Sequence, residues 1–191
     1  MGVVIPQVIT NRSGAQVIDG SLKFNDDSLN YLKRIPSSVG NQKTWTWSSW
    51  VKRSTLGGSQ RDIAAAALST NYLRIAGFTS GDNLEVCRAD SAVIKIETNQ
   101  VFRDISAWYH IVVAFDTTNG TSGDRIKLYV NGTRVTSLSS AAYPSQNAEY
   151  AVNAAYEMRI GAFKDKTSAT VYSPFDGNIT VLFHRWTSTR T

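Results

Sequence analysis

The sequence predicts an all-β protein, a two-sheet antiparallel sandwich of the jelly-roll kind preceded by an extended N-terminal arm. From Ser21 onward, short segments of alternating apolar and polar residues follow one another with turn chemistry between them, the pattern of strands. No helix-sized window holds a 3.6-residue apolar period, so helices are not expected. The strands recur at even spacing, which suits two packed sheets with loops at either end.

The 191 residues, 42% hydrophobic and 18% charged, fit one large sandwich domain and exclude a disordered chain. Cys87 is the only cysteine, which excludes an intrachain disulfide and a cysteine-rich metal site; it reads as a small buried hydrophobe. The net charge of +5 is spread in pairs such as Lys33-Arg34 and Lys52-Arg53. A nucleic-acid partner normally meets a concentrated stripe, so no such partner is expected, only solvation and mild attraction to anionic polymers. No apolar run approaches the ~20 residues of a membrane span, and MGVVIPQVITNRSG lacks the pattern of a secretory signal.

The chain divides into residues 1–20, an arm that could serve assembly; residues 21–186, the jelly roll; and residues 187–191, a tail. SLKF (21–24) precedes the acidic turn Asn25-Asp26-Asp27, and an extended piece restarts at Tyr31-Leu32. In TWTWSSWVKR (44–53), Trp45, Trp47, Ser49 and Val51 share one face and Thr44, Thr46, Ser48, Trp50 and Lys52 the other. Large aromatics on both faces predict a central strand. IAAAAL (63–68) has helical propensity, but its six residues and the strand-like NYLRIAGF (71–78) directly behind it favour a strand. NLEVCRAD (83–90) and AVIKIE (92–97) pair around Asp90-Ser91, and SAWYHIVVAFD (106–116), apolar on both faces, belongs mid-sheet. DRIKLYVNGTRV (124–135) predicts a tight hairpin, because Asn131-Gly132 tolerates the positive φ values such a turn needs. Residues 137–156 read as a long polar stretch, EMRIGAF (157–163) as one strand, and SPFDGNITVLFHRW (173–186) as a turn and a final strand, ten to twelve strands in all.

The order TWTWSSWVKR, AWYHIVVAFD, IKLYVNGTRV, EMRIGAF, FDGNI resembles laminin-G-like members of the concanavalin A-like lectin/glucanase superfamily across residues 21–183. AQVIDGSLKF (15–24) with YLKRIPSSVGNQKTWTW (31–47) looks like jelly-roll proteins of marine bacteriophages found among tail-fibre and other virion components. That resemblance implies a virion structural protein of a fibre, appendage or capsid decoration. Its partners would be other virion proteins, further copies of the chain and a host surface glycan. The alternative is a lectin-like module recognising host polysaccharide.

The resemblance offers no catalytic residues to carry over. Superfamily glucanases use paired carboxylates in an E-x-D-x-E arrangement on one strand, whereas Glu85, Glu97, Glu149 and Glu157 are isolated in sequence. No enzyme is expected unless carboxylates converge in space. His110 sits in an apolar strand and reads as a hydrogen-bonded structural imidazole. Calcium is the one cofactor left open, because Asn25-Asp26-Asp27, Asp82-Asn83 and Asp116 with Asn119 are oxygen-rich; turn formation explains such clusters better, so no metal ligands are assigned. For glycan contact the candidates are the loop with Tyr143, Asn147, Tyr150 and Asn153, and Tyr72 near Asp82 and Asn83. The competing role for these tyrosines is to seal the sandwich edge. Trp45, Trp47, Trp50 and Trp108 are expected in the core.

Overall fold

The computed structural model describes residues 20–66, 72–88, 93–164 and 171–185. The arm, apart from Gly20, the Asp90-Ser91 turn and the C-terminal tail lie outside the described residues. The strands are β1 (Leu22–Phe24), β2 (Leu32–Arg34), β3 (Thr44–Arg53), β4 (Arg61–Ala66), β5 (Leu73–Phe78), β6 (Asn83–Arg88), β7 (Lys95–Val101), β8 (Tyr109–Asp116), β9 (Ile126–Val130), β10 (Thr133–Arg134), β11 (Leu138–Ala142), β12 (Met158–Ile160), β13 (Phe163–Lys164), β14 (Val171–Tyr172) and β15 (Gly177–Arg185). They form a six-stranded sheet, β1-β15-β3-β8-β9-β10, facing a seven-stranded sheet, β11-β7-β6-β5-β4-β12-β2, with β13-β14 as a small third sheet. All paired strands are antiparallel.

Period-two alternation builds the core. Trp45, Trp47, Ser49, Val51 and Arg53 turn inward from β3, and Ile111, Val113 and Phe115 do so from β8. The apolar ones among them meet Ile63, Leu73, Ile75, Phe78, Leu84, Val86 and Ile96 of the second sheet in one cluster. Each large aliphatic so buried contributes about 1.5–3 kcal/mol. The Trp45 ring stacks on Phe115, its partner in register, at 4.6 Å between centroids. β3 lies between β15 and β8, and β8 between β3 and β9, the central positions their sequences predicted. Asn131 and Gly132 turn the β9–β10 hairpin with φ of 49° and 80°.

Three segments differ from their sequence reading. EMRIGAF is not one strand: Gly161, at φ 89°, breaks it into β12 and β13, which join different sheets. A side chain at Gly161 would also meet the Phe24 ring. The stretch 137–156 contains β11, whose Ser and Ala residues carry little strand propensity and are held by pairing with β7. The strand read at 92–97 is β7, which starts at Lys95 and continues to Val101. Arg53, counted with Lys52 among the charge pairs expected in solvent, is instead buried.

Candidate functional site

The outward residues of β3 are Thr44, Thr46, Ser48, Trp50 and Lys52, all partly exposed between buried neighbours. Trp50 is therefore out of phase with Trp45 and Trp47, and it stands on the surface instead of in the core. Across the register it meets His110 of β8, and the two rings stack at 5.0 Å and 25°. Ser48 Oγ lies 2.9 Å from His110 Nε2, fixing the imidazole edge. One register step further, Tyr129 of β9 opposes Val112, and Thr180 of β15 opposes Trp50 from the other side. Burial lowers the His110 pKa, so the imidazole is neutral at pH 7. The result is a partly exposed aromatic face with hydroxyls beside it, suited to stacking on the apolar face of a ring whose rim carries hydrogen-bonding groups. The signal was in the sequence: the outward positions of 44–53 hold three hydroxyls, a tryptophan and a lysine.

The residues named from sequence are dispersed. Tyr72 precedes β5 and packs against Phe163 at 5.0 Å. Asp82 is a buried anchor: it accepts hydrogen bonds from Arg53 Nη2 at 2.8 Å, Arg103 Nε at 2.9 Å and the Gly57 N–H at 2.7 Å. Burial pushes its pKa up, but these donors outweigh it and hold the carboxyl below the usual range. Asn83 donates to the Thr98 carbonyl. Tyr150 is 3% exposed and meets Phe115 edge-on. Tyr143 is half-buried against the core. Asn147 is exposed in a left-handed turn, and Asn153 is buried with its amide on the Asn41 carbonyl. Asp82 and Asn83 are adjacent at the start of β6, and each is held by hydrogen bonds within the protein.

Carboxylates isolated in sequence do converge on the outer face of the seven-stranded sheet. Register places Asp62 beside Gly77, Gly77 beside Glu85 and Glu85 beside Glu97. Each has basic or amide company: Arg74 Nε is 3.3 Å from Asp62, Gln60 donates to Glu85, and Lys95 is 2.7 Å from Glu97. Asp62 is fully buried, and desolvation, countered by Arg74 and reinforced by Glu85, pushes its pKa up to about 7. Gly77 makes the room, since a Cβ there would lie 2.9 Å from the Asp62 Oδ1. Cys87 lies 3.4 Å from Glu85, and burial first, then that carboxylate, drives the thiol up to about 12; at that value it is not a nucleophile near neutrality.

The oxygen-rich turns bind their own backbone: Asn25 accepts from Asp27 N–H, Asp116 from Thr118 and Asn119 from Thr121. Among the described residues no group of three or more His, Cys, Asp or Glu is placed to hold a metal ion.

A laminin-G-type family model, described as the concanavalin A-like lectin/glucanases superfamily, matches residues 26–180. The chain belongs to that superfamily. Among solved concanavalin A-like structures, mouse laminin alpha1 chain domains LG4-5 match with a TM-score of 0.57 at 11% identity, over 94% of this chain and 45% of that one. The native heptameric SAP-like pentraxin from Limulus polyphemus matches at 0.53 and 15%, over 78% and 66%. The Ruminococcus gnavus IT-sialidase CBM40 bound to alpha2,3 sialyllactose matches at 0.50 and 13%, over 76% and 79%. The chain spans 66% of the pentraxin and less than half of the laminin fragment. No curated protein matches. At these identities the solved structures share the concanavalin A-like fold with this chain.

Proposed function

We propose that this chain is a lectin-like binding module that takes carbohydrate on the outer face of its six-stranded sheet, without a required cofactor and without catalysis, since the carboxylates that converge, Asp62, Glu85 and Glu97, are each engaged by Arg74, Gln60 or Lys95. The carrying observation is the Trp50–His110 stack, partly exposed on a face where Ser48 and Thr180 supply hydroxyls. A sugar ring gains by stacking on such a surface while its hydroxyls keep their hydrogen bonds. A solved structure of similar fold, a CBM40 bound to alpha2,3 sialyllactose, makes the reading natural for the fold, although fold alone fixes no function. The test is a glycan array run with and without calcium, on the wild type and on Trp50→Ala. Binding that is independent of calcium and absent from Trp50→Ala supports the reading; a flat wild-type array overturns it.

A second reading, compatible with the first, is a virion structural role in a fibre, appendage or capsid decoration, with the host-surface glycan as ligand. The side wall made by β1, β2 and the chain after them favours it. Leu22, Leu29, Leu32, Ile35 and Val39 supply five of the ten exposed large apolar side chains among the described residues, and all but Leu29 lie on the segments that resemble phage proteins. Such a concentration suits assembly. A chain lacking residues 1–20, and separately Ile35→Asp, should stay folded and lose self-association in sedimentation; unchanged assembly of both variants would sink this role.

A further inference from the structure

We propose that the carbohydrate site extends past the aromatic face, around the β9–β10 hairpin and into the cleft behind it, so that the ligand is an internal stretch of a polysaccharide and not a single terminal sugar. This rests on the sheet-face reading above and adds to it a second subsite.

The cleft is open, about 330 Å³, and lined by the polar Gln100, Asn131, Thr133, Arg134, Thr136 and Ser137 together with the aliphatic Val130 and Val135. Amides, hydroxyls and a guanidinium beside two aliphatic side chains form a surface that hydrogen-bonds a polyol while covering its C–H faces. No carboxylate lines it.

Two independent contacts make cleft and aromatic face one surface. Asn131 is clamped to His110 in both directions: its Oδ1 accepts from the His110 N–H at 2.8 Å, and its own N–H donates to the His110 carbonyl at 2.8 Å. Arg134 opposes Tyr129 in register, and Thr133 opposes Val130. Trp50, His110, Tyr129 and Arg134 thus stand on four adjacent strands, a span of three strand spacings or ~14 Å. That exceeds one sugar ring, and β10 is the edge strand of its sheet, so a chain crossing the strands passes over the edge into the cleft.

The cleft walls are held before any ligand arrives. The Asn99 amide donates to Ser137 Oγ at 2.9 Å, and the Asn99 N–H to the Ser137 carbonyl at 3.1 Å. Arg134 Nη2 is set by the Gly123 carbonyl and Asp124. Asp124 is shared with Lys127 at 3.5 Å; two cations on one exposed carboxylate leave the guanidinium free to take a further acceptor at little cost. Preformed walls spare a ligand the ordering entropy.

The test measures affinity by calorimetry for β-1,3-glucan and oligogalacturonate ladders, from disaccharide to hexasaccharide. Two or three added hydrogen bonds predict a hexasaccharide bound about tenfold or more tightly than the disaccharide. Thr136→Trp, which fills the cleft, and Gln100→Ala, which removes a lining amide, should each erase most of that gain and leave disaccharide affinity unchanged. Trp50→Ala should lose both. Affinity independent of length, or of both cleft variants, overturns the second subsite while the aromatic-face reading stands. Absence of wild-type binding to both ladders overturns the second subsite, and absence from the array as well overturns the two together.

Discussion

Arg53 and Asp82 join the two sheets through a buried ion pair: the guanidinium Nη2 lies 2.8 Å from Oδ1, and the side chains are 1% and 5% exposed. Arg53 comes from β3 of one sheet, while Asp82 sits in the turn before β6 of the other, at φ 69°. Arg53 also donates Nη1 to the Phe102 carbonyl at 2.6 Å and covers the Phe78 ring. A charge taken from water this completely is tolerable only while its partner is present. Asp82→Ala should therefore cost about 3–5 kcal/mol in urea unfolding, because it strands Arg53. The double replacement Arg53→Met with Asp82→Ala should recover part of that loss. A single-variant cost below 1 kcal/mol would show that the pair holds nothing together.

The same pair gives acid sensitivity. The folded Asp82 pKa is depressed, so its stabilisation is present above the unfolded carboxylate value and is lost as pH falls through the folded one. Asp82→Asn should flatten the acid limb of stability against pH, and an unchanged limb would assign the loss to other carboxylates.

Asp62 carries the opposite sign. Its folded pKa of about 7 lies above the unfolded 3.8, so the folded state holds a proton that the unfolded chain has released. The associated stability is complete below the unfolded value and disappears as pH rises through about 7, with a ceiling of about 4 kcal/mol. Asp62→Asn should be more stable than wild type at pH 8 and should lose the advantage near pH 4. Equal pH profiles for the two proteins would mean that Arg74 keeps Asp62 ionised throughout.

Gly161 tests the break between β12 and β13. A Cβ there would lie 2.3 Å from the buried Phe24 ring, at a φ of 89°. Left-handed strain of about 1–2 kcal/mol for a non-glycine residue adds to overpacking of about 1–3 kcal/mol. Gly161→Ala should lower the urea midpoint accordingly, and Phe24→Ala in the same chain should relieve the clash but leave the strain. A Gly161→Ala midpoint equal to wild type would remove both terms.

What the sequence made legible was whatever lies within one strand or one turn. Alternation along 44–53 assigned inward and outward faces, and Asn131-Gly132 announced its hairpin, because those patterns are local. The Asp62, Glu85 and Glu97 row was invisible, since it depends on the register of four strands and on Gly77 leaving space. Arg53 and Asp82 likewise pair across 29 residues. Tyr150, a candidate for solvent-facing glycan contact, lies buried against Phe115 because a polar loop sequence does not reveal which way the loop folds. Trp50 was placed on the correct strand face by alternation, yet grouped with the core by its residue type; the period carried better information than hydrophobicity.

Trp45 and Trp50 therefore form a matched experiment on one strand. Trp45 is 1% exposed and stacked on Phe115, so Trp45→Ala removes a large core side chain and should cost about 3–5 kcal/mol. Trp50 is partly exposed and faces away from the core, and its loss leaves no internal cavity to offset. Trp50→Ala should cost far less stability and still abolish carbohydrate binding, whereas Trp45→Ala, measured under conditions where it remains folded, should bind with wild-type affinity. Urea unfolding and glycan titration on the two variants separate these outcomes. If Trp50→Ala unfolds as readily as Trp45→Ala, the outer face belongs to the stability of the sandwich; if Trp50→Ala keeps full affinity, the sugar lies elsewhere.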